Sequence, residues 1–274
     1  MLDKHCFLIL THKSIDHIYT YAEYYKNCNF YVHVDKKIDI NCIKSKELKN
    51  VYFIDDANRV DVNWASFSMV QATLNLMKFA LKHDSKNGFF HLISGDDVIF
   101  ESFDRIKFDI NKIYIECYES PRHRYRVRFN TMHAGTRIQR NIIGKTLTIL
   151  YKLLDRLLLT SEKCYFGSQW FSISRSDLEI IIFSNIDQEI NFFKNKLCPD
   201  EHFFQYLILK NGLKNKVANE NKRFIVFDEK YQKGSSPIFL NFETLKENNN
   251  KSYWFSRKVL PNDIIKFLQM RGID

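Results

Sequence analysis

The sequence is poor in the residues that break or staple a chain. Its 274 residues include 8 glycines and 4 prolines, too few for a disordered or linker-rich protein. Six cysteines (Cys6, Cys28, Cys42, Cys117, Cys164 and Cys198) form no C-x-x-C pair and keep no regular spacing. That argues against a zinc site and a dense disulfide framework, and it points to a reducing compartment. No uncharged apolar run approaches the ~18 residues of a membrane-spanning helix. Met1 to His5 lead almost directly into the first apolar run, which leaves no room for a signal peptide. The chain is therefore expected to be soluble or to sit on a membrane surface. The G-x-G-x-x-G fingerprint and the P-loop are missing too, so a bound nucleotide would be held without a glycine cradle.

What is abundant is apolar and basic. Hydrophobic residues make up 45%, with 24 phenylalanines and 14 tyrosines, enough for a substantial core. The formal charge of +9 implies an anionic partner without choosing among nucleic acid, anionic lipid and a phosphorylated small molecule. The charges are dispersed and no nucleic-acid-binding motif occurs, so nucleic acid is not expected.

Short continuous apolar runs at Cys6–Leu10, Phe30–Val34, Val51–Ile54 and Phe89–Ile93 read as strands buried on both faces. A helix capped by Ser14 separates the first two. A longer one, with Phe67, Val70, Leu74, Met77 and Leu81 on one face, precedes the fourth. This order predicts an α/β fold with a mostly parallel sheet. Ligands gather at the carboxyl ends of such strands, where Lys13, Asp35, Lys36 and Asp55 fall. Asp96 and Asp97 follow the fourth run. They suit a divalent cation on a diphosphate, a cap for the next segment, or a sugar hydroxyl.

Ile113–Glu116 reads as a fifth strand, with Tyr118 beyond it. In Arg122–Arg128 charge alternates with smaller or apolar residues. The pattern fits one solvated strand face, or arginine forks for an anionic or sugar-rich partner. Arg137 to Thr160 is basic and amphipathic, either a helix packed on its own domain or one lying on an anionic membrane. Pro199-Asp200-Glu201 reads as a helix start, with proline at the first position and carboxylates at the positive end of the dipole. Gly212 ends that helix. Arg223–Phe227 is a last strand, and a polar segment from Lys230 to Ser252 leads to Tyr253–Lys258 and a final helix from Pro261. No repeat or linker divides the chain, so a single domain is expected.

Five segments, in this order, resemble the core-2/I-branching β-1,6-N-acetylglucosaminyltransferase family, which includes the peptide O-xylosyltransferases. They are Leu10–Lys13 with Val32–Lys37; Val62–Ala72; Leu92–Asp97; Gly167–Trp170 with Pro199–Glu201; and Phe255–Lys258. The resemblance covers most of the chain apart from roughly Arg122 to Thr160. It implies a GT-A glycosyltransferase fold, Rossmann-like with a mostly parallel sheet flanked by helices. About residues 1–100 would hold the nucleotide, and about 101–221 the acceptor and catalytic residues around an amphipathic insertion at 137–160. Residues 222–274 would close over the diphosphate.

The implied activity is inverting transfer of a sugar, N-acetylglucosamine foremost, from a UDP-sugar to a glycan or lipid-linked glycan, with no metal or cofactor required. Glu201 matches the catalytic base, Lys258 and Arg223 the cations on the diphosphate with Arg257 beside them, and Asp35 the uridine-side aspartate. His12, in Leu10–Lys13, joins the donor side. Inversion needs one base for the acceptor hydroxyl and cations aimed at the leaving diphosphate. Asp97, Glu116, Tyr118 and Trp170 are the acceptor candidates. The lack of an anchor and of a disulfide framework fits a bacterial-type, cytoplasmic enzyme of surface polysaccharide or lipooligosaccharide synthesis. Peripheral contact with the inner face of the plasma membrane is the expected alternative. Ser94–Val98 departs from the family's Gly-x-Asp-Phe-Pro pattern. That keeps open a metal-dependent enzyme using Asp96 and Asp97.

Overall fold

In the computed structural model, the described residues are 4–103, 108–227, 237–249 and 251–273. The order of elements is β1 (Lys4–Thr11), α1 (Asp16–Tyr24), β2 (Asn29–Val34), β3 (Val51–Phe53), α2 (Phe67–His83), β4 (Asn87–Ser94), β5 (Asp97–Ile99), β6 (Tyr118–Glu119), α3 (Tyr125–Arg128), α4 (Ile142–Leu157), β7 (Tyr165–Phe166), β8 (Ser172–Ser174), α5 (Arg175–Phe183), α6 (Asp187–Phe193), α7 (Phe203–Lys210), β9 (Arg223–Ile225), α8 (Phe242–Asn248), β10 (Phe255–Arg257) and α9 (Pro261–Met270).

The central sheet runs β3-β2-β1-β4-β8, parallel except for β8, which pairs antiparallel with β4. Successive side chains of a strand point to opposite faces. Phe7 and Ile9 of β1 accordingly enter one core with α1 and α9, while Cys6 and Leu8 enter the other with α2 and α7. Burial on both sides is why these strands read as unbroken apolar runs. Ser66 caps α2 by accepting from the amide of Ser68, and Val70, Leu74, Met77 and Leu81 are buried as their spacing predicts.

A second sheet, β5-β10-β9, sits at the end of β4. Its register sets Arg257 of β10 opposite Asp97 of β5, so two opposite charges meet across the strands.

Several local expectations are corrected. Ser14 does not cap α1; its hydroxyl bonds Asp16, and Ile15 holds the cap position without a side-chain bond. Ile113 and Tyr114 form isolated bridges to Val217 and Ser172, not a strand. Pro121–His123 and α3 are helical turns, so the arginine run is not a strand face. Pro199–Glu201 is a single 3-10 turn before α7, because His202 leaves helical geometry between them. Part of the polar segment expected from Lys230 lies outside the described residues.

Candidate active site

The site is built on the carboxyl ends of β1, β2 and β4. Leaving β4, the chain turns at Ser94–Asp97. Gly95 is needed there because a side chain would begin 2.5 Å from the Thr11 hydroxyl. The turn folds Asp97 inward, where it is fully buried. Its carboxylate accepts from the Ser94 amide at 3.0 Å, the Ser94 hydroxyl at 2.7 Å and Arg257 Nη1 at 2.8 Å. Asp97 was expected to face an acceptor; it sits instead behind Arg257 and aims it. Asp96 pairs with Lys13 Nζ at 3.1 Å.

Lys13, Arg257 and Lys258 thus gather around two carboxylates. Burial, then the neighbouring Arg257, holds the Lys258 ammonium below the usual lysine pKa; Lys13 adds to this, and Asp96 and Asp97 oppose it. An anion bound beside Lys258 would relieve that penalty on its charge. Phe239 borders it, its ring centre 5.7 Å from Lys13 Nζ and 6.0 Å from Lys258 Nζ.

On the β2 side, Asp35 accepts from the Lys37 amide at 3.0 Å and pairs with Lys37 Nζ at 3.2 Å. Beneath it, the buried Arg59 donates to the carbonyl oxygens of Val34 and Asp35 at 3.0 and 2.9 Å. Arg59 has no recognisable local pattern, and sequence reading passed over it. His12 is exposed in the turn after β1.

Arg223 is corrected. It was expected on the diphosphate but is 4% exposed, and donates to the carbonyl oxygens of Leu92 and Phe171 at 2.9 and 2.8 Å, tying β4 to the start of β8. Burial lowers its pKa, while Asp97 and Glu116 oppose the fall. Trp170 is also buried, with the Arg257 guanidinium 4.1 Å from its ring centre. That face of the indole serves the cation and not an acceptor sugar.

Glu201 is reached through the turn that carries Trp170. Gly167 donates to the Glu201 carbonyl at 3.1 Å, and Ser168 donates to Glu116 Oε2 at 3.2 Å. Gln205 of α7 donates to the carbonyls of Glu116 and Ser168. A side chain at residue 167 would begin 1.8 Å from the Glu116 carbonyl oxygen, so only glycine permits this approach. Three peptide units span at most about 11 Å, and over that length the turn links the Glu201 backbone at Gly167 to the Arg257 guanidinium at Trp170. Tyr118 is about half exposed, its hydroxyl donating to the Asn219 carbonyl at 2.7 Å.

The Glu201 carboxylate is partly exposed, and its Oε2 is held by Arg126 Nη1 of α3. Arg126 was missed as a site residue. Its neighbours Arg124 and Arg128 both pair with Asp155 of α4 at 3.1 Å. These three arginines of the basic run therefore have internal partners. Next to Glu201, burial first and the Glu201 charge second push the Asp200 carboxyl up to about 7, and Asp200 Oδ1 has no hydrogen-bond partner. A cavity of about 380 Å³ opens beside α3, edged by Arg124, Arg128, Lys163, Phe192, His202 and Tyr206.

A mostly parallel sheet flanked by helices, with cations and carboxylates at its strand ends, is the arrangement of a GT-A-like glycosyltransferase. The Core-2/I-Branching enzyme family matches residues 6–251, and the chain belongs to that family. Its members are glycosyltransferases, so the protein is an enzyme acting on a sugar donor and a glycan acceptor. A search of curated proteins returns no match.

Proposed function

We propose that the enzyme is an inverting, UDP-sugar-dependent transferase that moves a sugar, N-acetylglucosamine first among the candidates, onto a hydroxyl of a free or lipid-linked glycan. We assign it to the building of a cell-surface polysaccharide or lipooligosaccharide. In this reading Glu201 takes the acceptor's hydroxyl proton as the acceptor oxygen bonds to the anomeric carbon. The bond from that carbon to the diphosphate breaks on the opposite face, and its electron pair leaves with UDP. Arg257, Lys258 and Lys13 offset the charge that develops there.

Asp35 and His12 serve the uridine end, and Glu116 and Tyr118 the acceptor sugar. Arg223, Asp97 and Trp170 support from behind by fixing β4 and Arg257. The cavity beside α3, reached through His202 next to Glu201, is where we place the remainder of the acceptor. The observation that carries the reading is the 167–170 turn, which bonds the acid's backbone at one end and lies under Arg257 at the other.

A metal-dependent mechanism through Asp96 and Asp97 is the second reading, since these carboxylates stand at the strand end where a diphosphate would lie. Against it, Lys13 and Arg257 already neutralise them. The test is a screen of UDP-sugars for UDP release, with and without acceptor, in excess EDTA. Turnover that persists in EDTA is the expected result. Turnover that appears only on adding manganese would transfer the role to Asp96 and Asp97, and no UDP release from any donor would overturn the donor class.

A further inference from the structure

Helix α4 keeps a broad apolar face in the open. Its inward face mixes the half-buried Leu147, Tyr151 and Leu154 with small or polar groups. A side chain at Gly144 would meet the Ile138 carbonyl oxygen at 2.1 Å, Thr148 Oγ1 bonds His133 Nε2 at 3.0 Å, and Asp155 is buried between Arg124 and Arg128. Its outward face is apolar. Ile142 and Leu157 are 83% and 77% exposed, and Ile149, Leu150 and Leu153 between them are exposed as well. These five fall on one stripe of a 3.6-residue period, and the chain runs on into the exposed Leu158 and Leu159.

Lys145, Lys152 and Arg156 repeat along one flank of the stripe at the same period. The helix's one acid, Asp155, is buried, so apart from Thr146 the outward side of α4 is apolar and cationic. Arg137 and Arg140 precede it in an adjoining 3-10 turn. At 16 residues the helix is roughly 24 Å long. No helix among the described residues is long and apolar enough to cross a membrane.

We infer that α4 is an in-plane anchor that seats this protein on an anionic lipid bilayer. Apolar side chains enter the acyl boundary while flanking lysine and arginine meet lipid phosphates, the pairing that in-plane helices require. A contiguous apolar stripe turned to water and rimmed by charge marks an interaction surface. The inference extends past sugar transfer and does not rest on it.

The test is flotation of the full chain with vesicles of phosphatidylcholine alone and of phosphatidylcholine mixed with phosphatidylglycerol. The chain is expected to float with the mixed vesicles and less so as salt rises. Leu153→Ser with Leu157→Ser leaves the net charge unchanged and is expected to lower partitioning about tenfold or more. Leu157→Trp is expected to show a blue-shifted emission on the mixed vesicles only.

Failure to float overturns the inference. So does flotation undiminished by the serine pair, which would assign binding to overall charge. Wild-type chain sedimenting as a dimer that the serine pair makes monomeric would give the stripe to a second copy and overturn it too. Thermal stabilisation by UDP, measured on the same variants, keeps the fate of the anchor separate from that of the transfer reading.

Discussion

At the scale of single residues, Glu201 and its neighbour Asp200 divide two tasks. Glu201 is partly open and held on one oxygen by Arg126, whereas Asp200 is enclosed with an unpartnered oxygen. On the role proposed for Glu201, Glu201→Gln keeps the shape and loses the base, so kcat should fall about 100-fold or more while UDP affinity, read by calorimetry, stays within about twofold. Asp200 has a folded-state pKa of about 7, raised chiefly by burial, and so binds its proton more tightly folded than unfolded. Its contribution is fully present below the ordinary carboxylate pKa and is lost as pH rises to about 7. Unfolding free energy should therefore decline across that window. Asp200→Asn should flatten the decline, as urea titrations at pH 4 and 7.5 would show. Of these roles only the candidacy of Glu201 was legible in the sequence. Arg126 lies 75 positions from its partner, and nothing in the pattern around Arg122–Arg128 says which arginine turns toward it.

At the scale of elements, the turn at 167–170 and the α3–α4 contact depend on single groups. Gly167→Ala would drive a methyl into the Glu116 carbonyl. It should cost about 3 kcal/mol and remove turnover together with stability. Asp155→Ala would leave Arg124 and Arg128 without their shared counter-ion, and should cost about 3 kcal/mol by chemical unfolding. The amphipathic character of 137–160 was plain in the sequence, but which face it presents was not. Periodicity finds a stripe and assumes that it points inward. Here the local decision belongs to Gly144, Thr148 and Asp155, whose partners Gln139, His133, Arg124 and Arg128 are supplied by the chain before the helix.

At the scale of the whole molecule, the four parallel strands were legible because burial on both faces leaves an unbroken apolar signature. β8 was harder: at three residues, with serine at both ends, its place at the antiparallel edge follows only from pairing with β4. The positions of Asp35 and Asp96 after their strands were legible, whereas the burial of Asp97 and Arg223 was not, since exposure depends on tertiary closure by β10 and β9. UDP should raise the melting temperature by several degrees, an effect that scanning calorimetry at matched ionic strength would register.

The grip of α3 on α4 has a final consequence, for modularity. By sequence α4 belongs to an insertion that could be trimmed away. Cutting it out would not return a simpler enzyme, because Asp155 would go with it. Arg124 and Arg128 would then stand unneutralised on either side of Arg126, with Glu201 the nearest carboxylate paired to that turn. A shortened chain would gain two competitors for the Glu201 carboxylate, so α4 cannot be removed without redesigning the turn it leans on.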